Sequence, residues 1–531
     1  MSSYLLNKPK RNTAPVYTPI STKQVKNNCG AFVYQISPED QLRRFLVLGR
    51  EGGTYYAGEH KLTADNTTSI KFLIHTNGKL VVSIVVEMSV GGRIPKNDTA
   101  LYVLAMCSAY GDTETRAMAH SVLPQVARTG THLFQFCAFV DTMRGWGRGL
   151  RTAVGNWYTE QEPSKLAYQV IKYGQRDGWS HADLLRLSHP RATGVTNDIL
   201  KYTVDGWPNV GTDPHPDDVL ALLWAAERVK ATDSEDEIAL LIQTYHLPME
   251  VVPSEKKTKR VYEALLPDAP ITWLLRNLGT LSKLEVLKTG QFTNINTVCD
   301  KLANESILRK GRVHPLAVMV AHNTYKSGAG IRGSSTWPVV QKVVDALDKS
   351  FELAFKTIDP TGKRILLALD VSGSMSMGTI AGMPGITPRI GAAAMAAVTV
   401  RAEDNVTTMA FSNTFMPFNI GKTETLDSVV RHMSSMSFSN TDCSLPIVWA
   451  TRNNVEADAF VIYTDSETNC GVHPMTALKA YRDKMGIDAE LIVVGMTATK
   501  FSIGDPNDPR ILNVVGFDTS APNIISEFIA S

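Results

Sequence analysis

Residues 364–375 read RILLALDVSGSM. Ile365, Leu366, Leu367, Ala368 and Leu369 run on without polar relief, which predicts a central parallel strand covered on both faces. The run stops at Asp370, and Ser372, Gly373 and Ser374 follow. In an open α/β sheet, ligands collect beyond the carboxyl ends of the strands, near the switch point. One carboxylate and two hydroxyls are hard oxygen donors, with no thiolate or imidazole among them, and suit Mg²⁺, Ca²⁺ or Mn²⁺ better than zinc. A lone D-x-S-x-S recurs by chance, so its context matters. Thr441 lies in the polar loop 437–444, directly before a helical stretch at 445–452. Asp465 ends a second apolar run, AFVIYT at 459–464. Asp370, Ser372, Ser374, Thr441 and Asp465 are therefore expected on three loops at one edge of one sheet. The bland alternative has the serines capping a helix and Asp465 satisfying loop amides, which needs strand context to arise three times by accident.

Outward from that strand, the pattern alternates. An Ala-rich helix is predicted at 388–402, strands at 406–411 and 414–420, and a helix at 426–433. A helix at 474–484, strands at 489–495 and 513–517 and a final helix at 524–530 follow. This is the signature of a doubly wound, Rossmann-like α/β domain. It begins after KTIDPTGKR (356–364), where Pro360 and Gly362 end a helix. Before that point the chain reads as helix after helix, at 61–75, 97–109, 114–128, 131–144, 163–174, 216–230, 235–245, 270–278, 292–308, 315–326 and 337–356. No comparable strand series is evident there. Helices of this length joined by short turns fit a HEAT-like array of helix pairs better than one bundle, which could not bury so many around a single core. The expected organisation is an N-terminal arm at 1–24, helical repeats at 25–357 and the α/β domain at 358–531.

With 531 residues, two to four domains are expected, and 44% hydrophobic with 20% charged residues is ordinary for a globular protein. No apolar run approaches the ~18 residues of a membrane helix, and the N-terminus lacks an apolar signal core. Cysteines at 29, 107, 137, 299, 443 and 470 show no C-x-x-C spacing, as expected of reduced thiols in a cytoplasmic protein. Charge is unevenly shared: residues 361–531 hold 12 Lys+Arg against 17 Asp+Glu, and residues 1–360 hold 42 against 35. A basic part invites nucleic acid and an acidic part invites a cation.

The segment 144–191 concentrates the basic character, with eight Lys+Arg against four acids. Trp146, Trp157, Tyr158, Tyr168, Tyr173 and Trp179 lie between them. Cations follow a phosphate backbone, and flat rings stack on unpaired bases. A tryptophan at helical spacing is as readily core, so composition leaves RNA binding and internal packing evenly matched.

Within this segment, residues 172–189, KYGQRDGWSHADLLRLSH, resemble the signature of the Ro autoantigen (TROVE) family, in its bacterial branch. TYKSGAGIRG at 324–333 and FKTIDPTGKR at 355–364 extend the resemblance over nearly the whole chain. The five oxygen donors resemble the metal-ion-dependent adhesion site of von Willebrand factor A domains. That likeness implies that serines and threonine touch the metal while the aspartates act largely through water. The family resemblance implies a ring of HEAT-like repeats joined to the A domain. It also implies binding of Y-type small RNA and of single-stranded 3′ ends of misfolded or precursor RNA, with exoribonucleases as partners. Its RNA-contacting positions fall on Lys172, Arg176 and His189. Arg144, Arg148 and Arg151 are added from their charge and the Gly-rich run around them, against the alternative of salt bridges inside the array. Arg332 is a further, weaker candidate. The formal G-x-G-x-x-G at 328–333 follows a predicted helix instead of a strand, so it reads as an interhelical turn.

Catalysis is not expected. Ser372 and Ser374 lack a G-x-S-x-G elbow and a nearby His, and two carboxylates among hydroxyls leave few negative ligands to activate water. The expectation is a non-catalytic RNA-binding scaffold carrying one divalent cation, foremost Mg²⁺, that docks an acidic protein side chain and does not engage membrane. The rival is a protein-binding adaptor; a metal-dependent ribonuclease is least favoured.

Overall fold

The structure, a computed structural model, describes residues 14–48, 59–207, 215–290, 292–330, 334–354, 360–380, 385–436 and 440–530. Arg332 and parts of the 356–364 and 437–444 stretches lie outside the described residues. The described chain divides into two compact units. Thr67–Lys356 forms one, and residues before Thr67 group with those after Lys356 in the other.

The second unit opens with β1 (Gln24–Lys26) and β2 (Phe32–Gln35), an antiparallel pair. The helical unit contains only one short hairpin among its described residues, β3 (Gln175–Arg176) with β4 (Trp179–Ser180). After it come β5 (Ile365–Asp370), β6 (Val406–Phe411), β7 (Phe415–Pro417), β8 (Ala459–Thr464), β9 (Glu490–Gly495), β10 (Phe501–Ser502) and β11 (Ile511–Val515). Six of these form one sheet in the order β11-β9-β8-β5-β6-β7. All neighbours are parallel except the edge pair β6–β7. β5 and β8 are buried along their whole length, as their unbroken apolar runs predict. Each fully buried Leu, Ile or Val contributes about 1.5–3 kcal/mol. The helix Pro388–Ala402 packs on β5 and β8, and its Ala392, Ala393, Ala394, Ala396 and Ala397 are buried, so small side chains bring it close to the sheet. The connection leaving β5 runs to β6 on one side, whereas the connection leaving β8 runs to β9 on the other. The switch point therefore lies between the ends of β5 and β8.

The N-terminal stretch does not behave as the start of the helical array. β10 pairs antiparallel with β2, extending β1–β2 into a three-stranded sheet, and the helix Pro38–Leu48 packs against β11. Residues 24–48 thus belong by packing to the C-terminal unit, across the boundary expected at 25–357. Part of the arm is pinned there too: Val16 is buried and its N–H donates to the Gly471 carbonyl at 3.3 Å.

Between Thr67 and Lys356, helices pack against near neighbours in the chain. Asp98–Tyr110 packs on Gly130–Met143, Glu235–Tyr245 on Lys259–Leu265, and Pro315–Lys326 on Gln341–Leu353. Side-chain caps start several of them, such as Asp217 accepting from the Val219 and Leu220 amides and Ser234 from the Glu237 amide. Arg312 Nε donates to the Val90 carbonyl at 3.0 Å, a contact 222 residues apart that joins the last part of this unit to its first helix. The stretch Thr67–Val90 is, against expectation, a helix long and apolar enough to cross a membrane. Asn77 breaks its helical geometry at φ −153°, and Leu73, Ile74, Val81, Val82, Val85 and Met88 are buried in the unit.

Candidate functional site

Asp370 ends β5 and Asp465 follows the last residue of β8, so both carboxylates stand at the switch point. Both are buried, as are Ser372, Ser374 and Thr441. Asp370 Oδ1 accepts from the Ser372 amide at 2.8 Å, and its Oδ2 accepts from the Thr464 hydroxyl at 2.6 Å. With both oxygens engaged, this carboxylate is fixed in place and suited to reach an ion through water. Ser372 Oγ and Ser374 Oγ are 3.1 Å apart. Adjacent ligands of an octahedral Mg²⁺, each ~2.1 Å from the ion, stand about 3.0 Å apart, so the two hydroxyls are spaced as neighbouring ligands. Asp465 Oδ1 accepts from the Glu467 amide at 3.0 Å, whereas its Oδ2 is buried without a hydrogen-bond partner. A buried carboxylate oxygen left without a donor is costly unless a cation or water meets it.

Thr441 is placed by its backbone. Its N–H donates to Asn469 Oδ1 at 3.0 Å, and its carbonyl accepts from the Asn469 and Cys470 amides at 2.9 and 3.2 Å. The neighbouring Asp442 amide donates to the Ser412 carbonyl at 2.9 Å. The threonine loop is thereby tied to the loop after β8 and to the end of β6. Asp370, Ser372, Ser374 and Asp465 stand together directly, and Thr441 is held on the adjoining loop.

The electrostatics of the site favour positive charge. Burial, and then the charge of Asp465, push the Asp370 carboxyl up from 3.8 to about 7. Burial raises Asp465 as well. Burial and Asp465 together lift Glu467 from 4.5 to about 7. Carboxylates that resist ionisation in this way are what a bound cation relieves. No group of three His, Cys, Asp or Glu side chains placed to hold a metal occurs among the described residues; the set present, two carboxylates beside hydroxyls, is made of hard oxygen donors and fits a small hard cation.

Sequence reasoning missed the supports. Thr464 reads as an ordinary strand residue yet orients Asp370. Asn27 Nδ2 donates to the carbonyls of Ser466 and Thr468 at 3.3 and 2.9 Å, and Asn28 Nδ2 donates to Glu467 Oε1 at 2.6 Å. Nothing local marks these asparagines, because their partners lie more than 430 positions away.

In the helical unit, Lys172 ends the helix Pro163–Lys172. Its ammonium lies 5.2 and 5.4 Å from the ring centres of Tyr168 and Tyr173, and burial lowers its pKa. Arg176 sits on β3 with its side chain 60% exposed, near Asp177 at 3.6 Å, an ion pair of little energetic weight. His189 is exposed and ends the helix His181–Ser188 in left-handed geometry, φ 46°. Arg144, Arg148 and Arg151 are all exposed and form no ion pair among the described residues, so the alternative of internal salt bridges does not hold. Trp146 packs on Trp179 with ring centres 5.3 Å apart, which places the Gly-rich loop carrying Arg144 beside the hairpin carrying Arg176. Trp157 and Tyr158 are core. His181 is structural: it is buried, bonded to the Tyr158 hydroxyl at 2.8 Å, and lowered by burial to about 4.

A TROVE helical module followed by a von Willebrand factor A-type domain is the class of protein this arrangement defines. The TROVE domain model matches residues 25–209 and 248–329, and the Ro60 vWA domain model matches 364–529. The chain is 44% identical to the RNA-binding protein RO60 of Deinococcus radiodurans over 96% of each chain. It is 34% identical to the RNA-binding protein RO60 of Caenorhabditis elegans, over 95% of this chain and 90% of that one. The crystal structure of the D. radiodurans RO (RSR) protein matches with a TM-score of 0.70 at 42% identity, covering 93% of this chain and 99% of that one. The chain belongs to the Ro60 family.

Proposed function

We propose that this protein is a non-catalytic RNA-binding scaffold. It takes Y-type small RNA and the single-stranded 3′ ends of misfolded or precursor RNA, and it works beside exoribonucleases in RNA maturation and decay in the cytoplasm. The observation that carries the reading is the joined surface of Arg144, Arg148, Arg151 and Arg176, exposed and bracketed by the packed Trp146 and Trp179. The guanidinium groups of Arg144, Arg148 and Arg151, without carboxylate partners among the described residues, and that of Arg176, in only a weak exposed pair with Asp177, suit phosphates, and half-buried rings suit unpaired bases. Lys172, between two tyrosines, and the exposed His189 lie in the same segment of the chain. The names of the relatives point the same way.

In the A domain, one Mg²⁺ is held by the hydroxyls of Ser372, Ser374 and Thr441, with Asp370 and Asp465 acting through water. The ion supplies a coordination position for an acidic side chain of a partner protein. Mn²⁺ or Ca²⁺ would meet the same hard oxygen donors. With hydroxyls as direct ligands, few negative charges remain to activate a water for hydrolysis.

A labelled RNA with a duplex and a free 3′ tail tests this reading. Binding should weaken with salt and by roughly tenfold or more in Lys172→Glu/Arg176→Glu. The RNA should remain intact in Mg²⁺. Cleavage that disappears in Asp370→Ala would replace the scaffold with a nuclease, and unchanged affinity in the double variant would remove the assigned surface.

A further inference from the structure

Behind the arginine loop lies a pocket of ≈ 320 Å³ whose lining includes Arg116, His120, Arg144 and Arg148 and no carboxylate. Arg116 Nε is buried without a hydrogen-bond partner. Ser108 organises the wall: its hydroxyl is 2.8 Å from His120 Nε2, and its carbonyl accepts from Arg144 Nη1 at 3.4 Å. The helix Arg148–Thr159 starts in this wall with Gly147 as N-cap, which offers no side chain to its first amides. Those amides are free donors at the positive end of a 12-residue helix. Gly149 lets the helix start press on the imidazole, since a Cβ there would sit 3.3 Å from His120. Burial and then Arg144 and Arg116 lower the His120 pKa, as expected where positive charge is gathered without compensation. Asp112, which lies within electrostatic reach of Arg116, is occupied in capping the Thr115 amide at 2.7 Å.

We infer that this pocket binds the terminal phosphomonoester of an RNA strand. Three guanidinium groups, an imidazole and a helix start exceed what a singly charged internal phosphodiester needs. A phosphomonoester carries about −1.5 to −2 at neutral pH and offers three acceptor oxygens. Trp146, half-buried and packed on Trp179, stands in the chain between the pocket-lining Gly145 and Gly147, so an aromatic side chain neighbours the site. The inference rests on the RNA-binding reading and adds a preference for the chemical state of one RNA end.

The test uses the full-length protein and one single-stranded RNA sequence in four forms, phosphorylated or hydroxylated at each end. One phosphorylated end should tighten binding by about tenfold. Arg116→Gln and His120→Gln should remove that preference, and so should Arg148→Gln, an exposed position whose loss does not endanger folding. Inorganic phosphate should compete with the phosphorylated form and hardly with the hydroxylated one. Equal affinity for all four RNAs overturns the inference and leaves the scaffold reading standing. Failure of every RNA to bind overturns both. A preference that survives Arg116→Gln and Arg148→Gln places the phosphate elsewhere and overturns the assignment. Saturable uptake of inorganic phosphate, lost in Arg116→Gln but with no effect of RNA end chemistry, makes the pocket a free-phosphate site and also overturns it.

Discussion

Asp370 sits in the sheet interior with Asp465 as its electrostatic neighbour, and burial places its pKa at about 7. This folded-state value lies above the unfolded value of 3.8, so the carboxyl stabilises the metal-free fold fully below about pH 4. That contribution is lost as pH rises through about 7. Glu467, also raised to about 7, acts in the same direction. In EDTA, Asp370→Asn should therefore be more stable than the parent at pH 8, by roughly 2–4 kcal/mol, with the difference vanishing near pH 4. Mg²⁺ should raise the parent's Tm at pH 8 and leave that of the variant unmoved; equal responses would dissociate Asp370 from the ion. Thr464 supplies the donor to Asp370 Oδ2 at 2.6 Å. Thr464→Val keeps the shape and removes that donor, so calorimetry should record about tenfold weaker Mg²⁺ binding and a stability loss of ~1–3 kcal/mol. The placement of these five oxygen-bearing residues at one sheet edge was legible in the sequence, because Asp370, Ser372, Ser374 and Asp465 stand at or just after the ends of apolar strands and Thr441 precedes a helix start. Thr464 was not, because a threonine inside AFVIYT carries no sign of which side chain it will face.

At the level of elements, legibility follows sequence separation. β5 and β8 were readable to the residue, since strands covered on both faces must be apolar throughout. β2 and β10 were not, because each is short and their pairing joins Tyr34 to Ser502 across the length of the chain. The helix Arg148–Thr159 was obscured by the glycines at its start and by the charged residues it displays. The N-terminal strap has a checkable energetic role. Asn27 accepts from the Ala31 amide at 2.9 Å and donates to the carbonyls of Ser466 and Thr468. Asn27→Ala leaves these buried groups unpaired and should destabilise the C-terminal unit by ~1–3 kcal/mol. The loop after Asp465 should loosen with it, seen as faster amide exchange at 466–468. Unchanged exchange there would make the strap a passive neighbour of the site.

Across the whole molecule, charge follows the two units: residues 67–356 carry 33 Lys+Arg against 29 Asp+Glu, and the remainder carries 21 against 23. RNA should consequently meet the helical unit, and its affinity should report how many phosphates that unit neutralises. For a single strand, the slope of log K against log salt falls by about 0.7 for each phosphate contact. Arg148 and Arg151 are exposed and have no ion-pair partner among the described residues, so removing them costs no internal contact. Arg148→Gln/Arg151→Gln should leave the melting temperature within about a degree, as expected for exposed positions. The same double variant should reduce the salt slope by about 1.4 units if both cations meet the strand. Arg364, a half-buried arginine engaged by Asp458 and Glu456 in the A domain, makes the comparison outside the proposed surface, and the salt slope of Arg364→Gln should equal the parent's. Parallel slopes in all three proteins would mean that net charge, and not this surface, attracts the RNA. A loss confined to the Arg148/Arg151 variant would locate the phosphate path on the Gly-rich loop and the first turn of the helix that follows it.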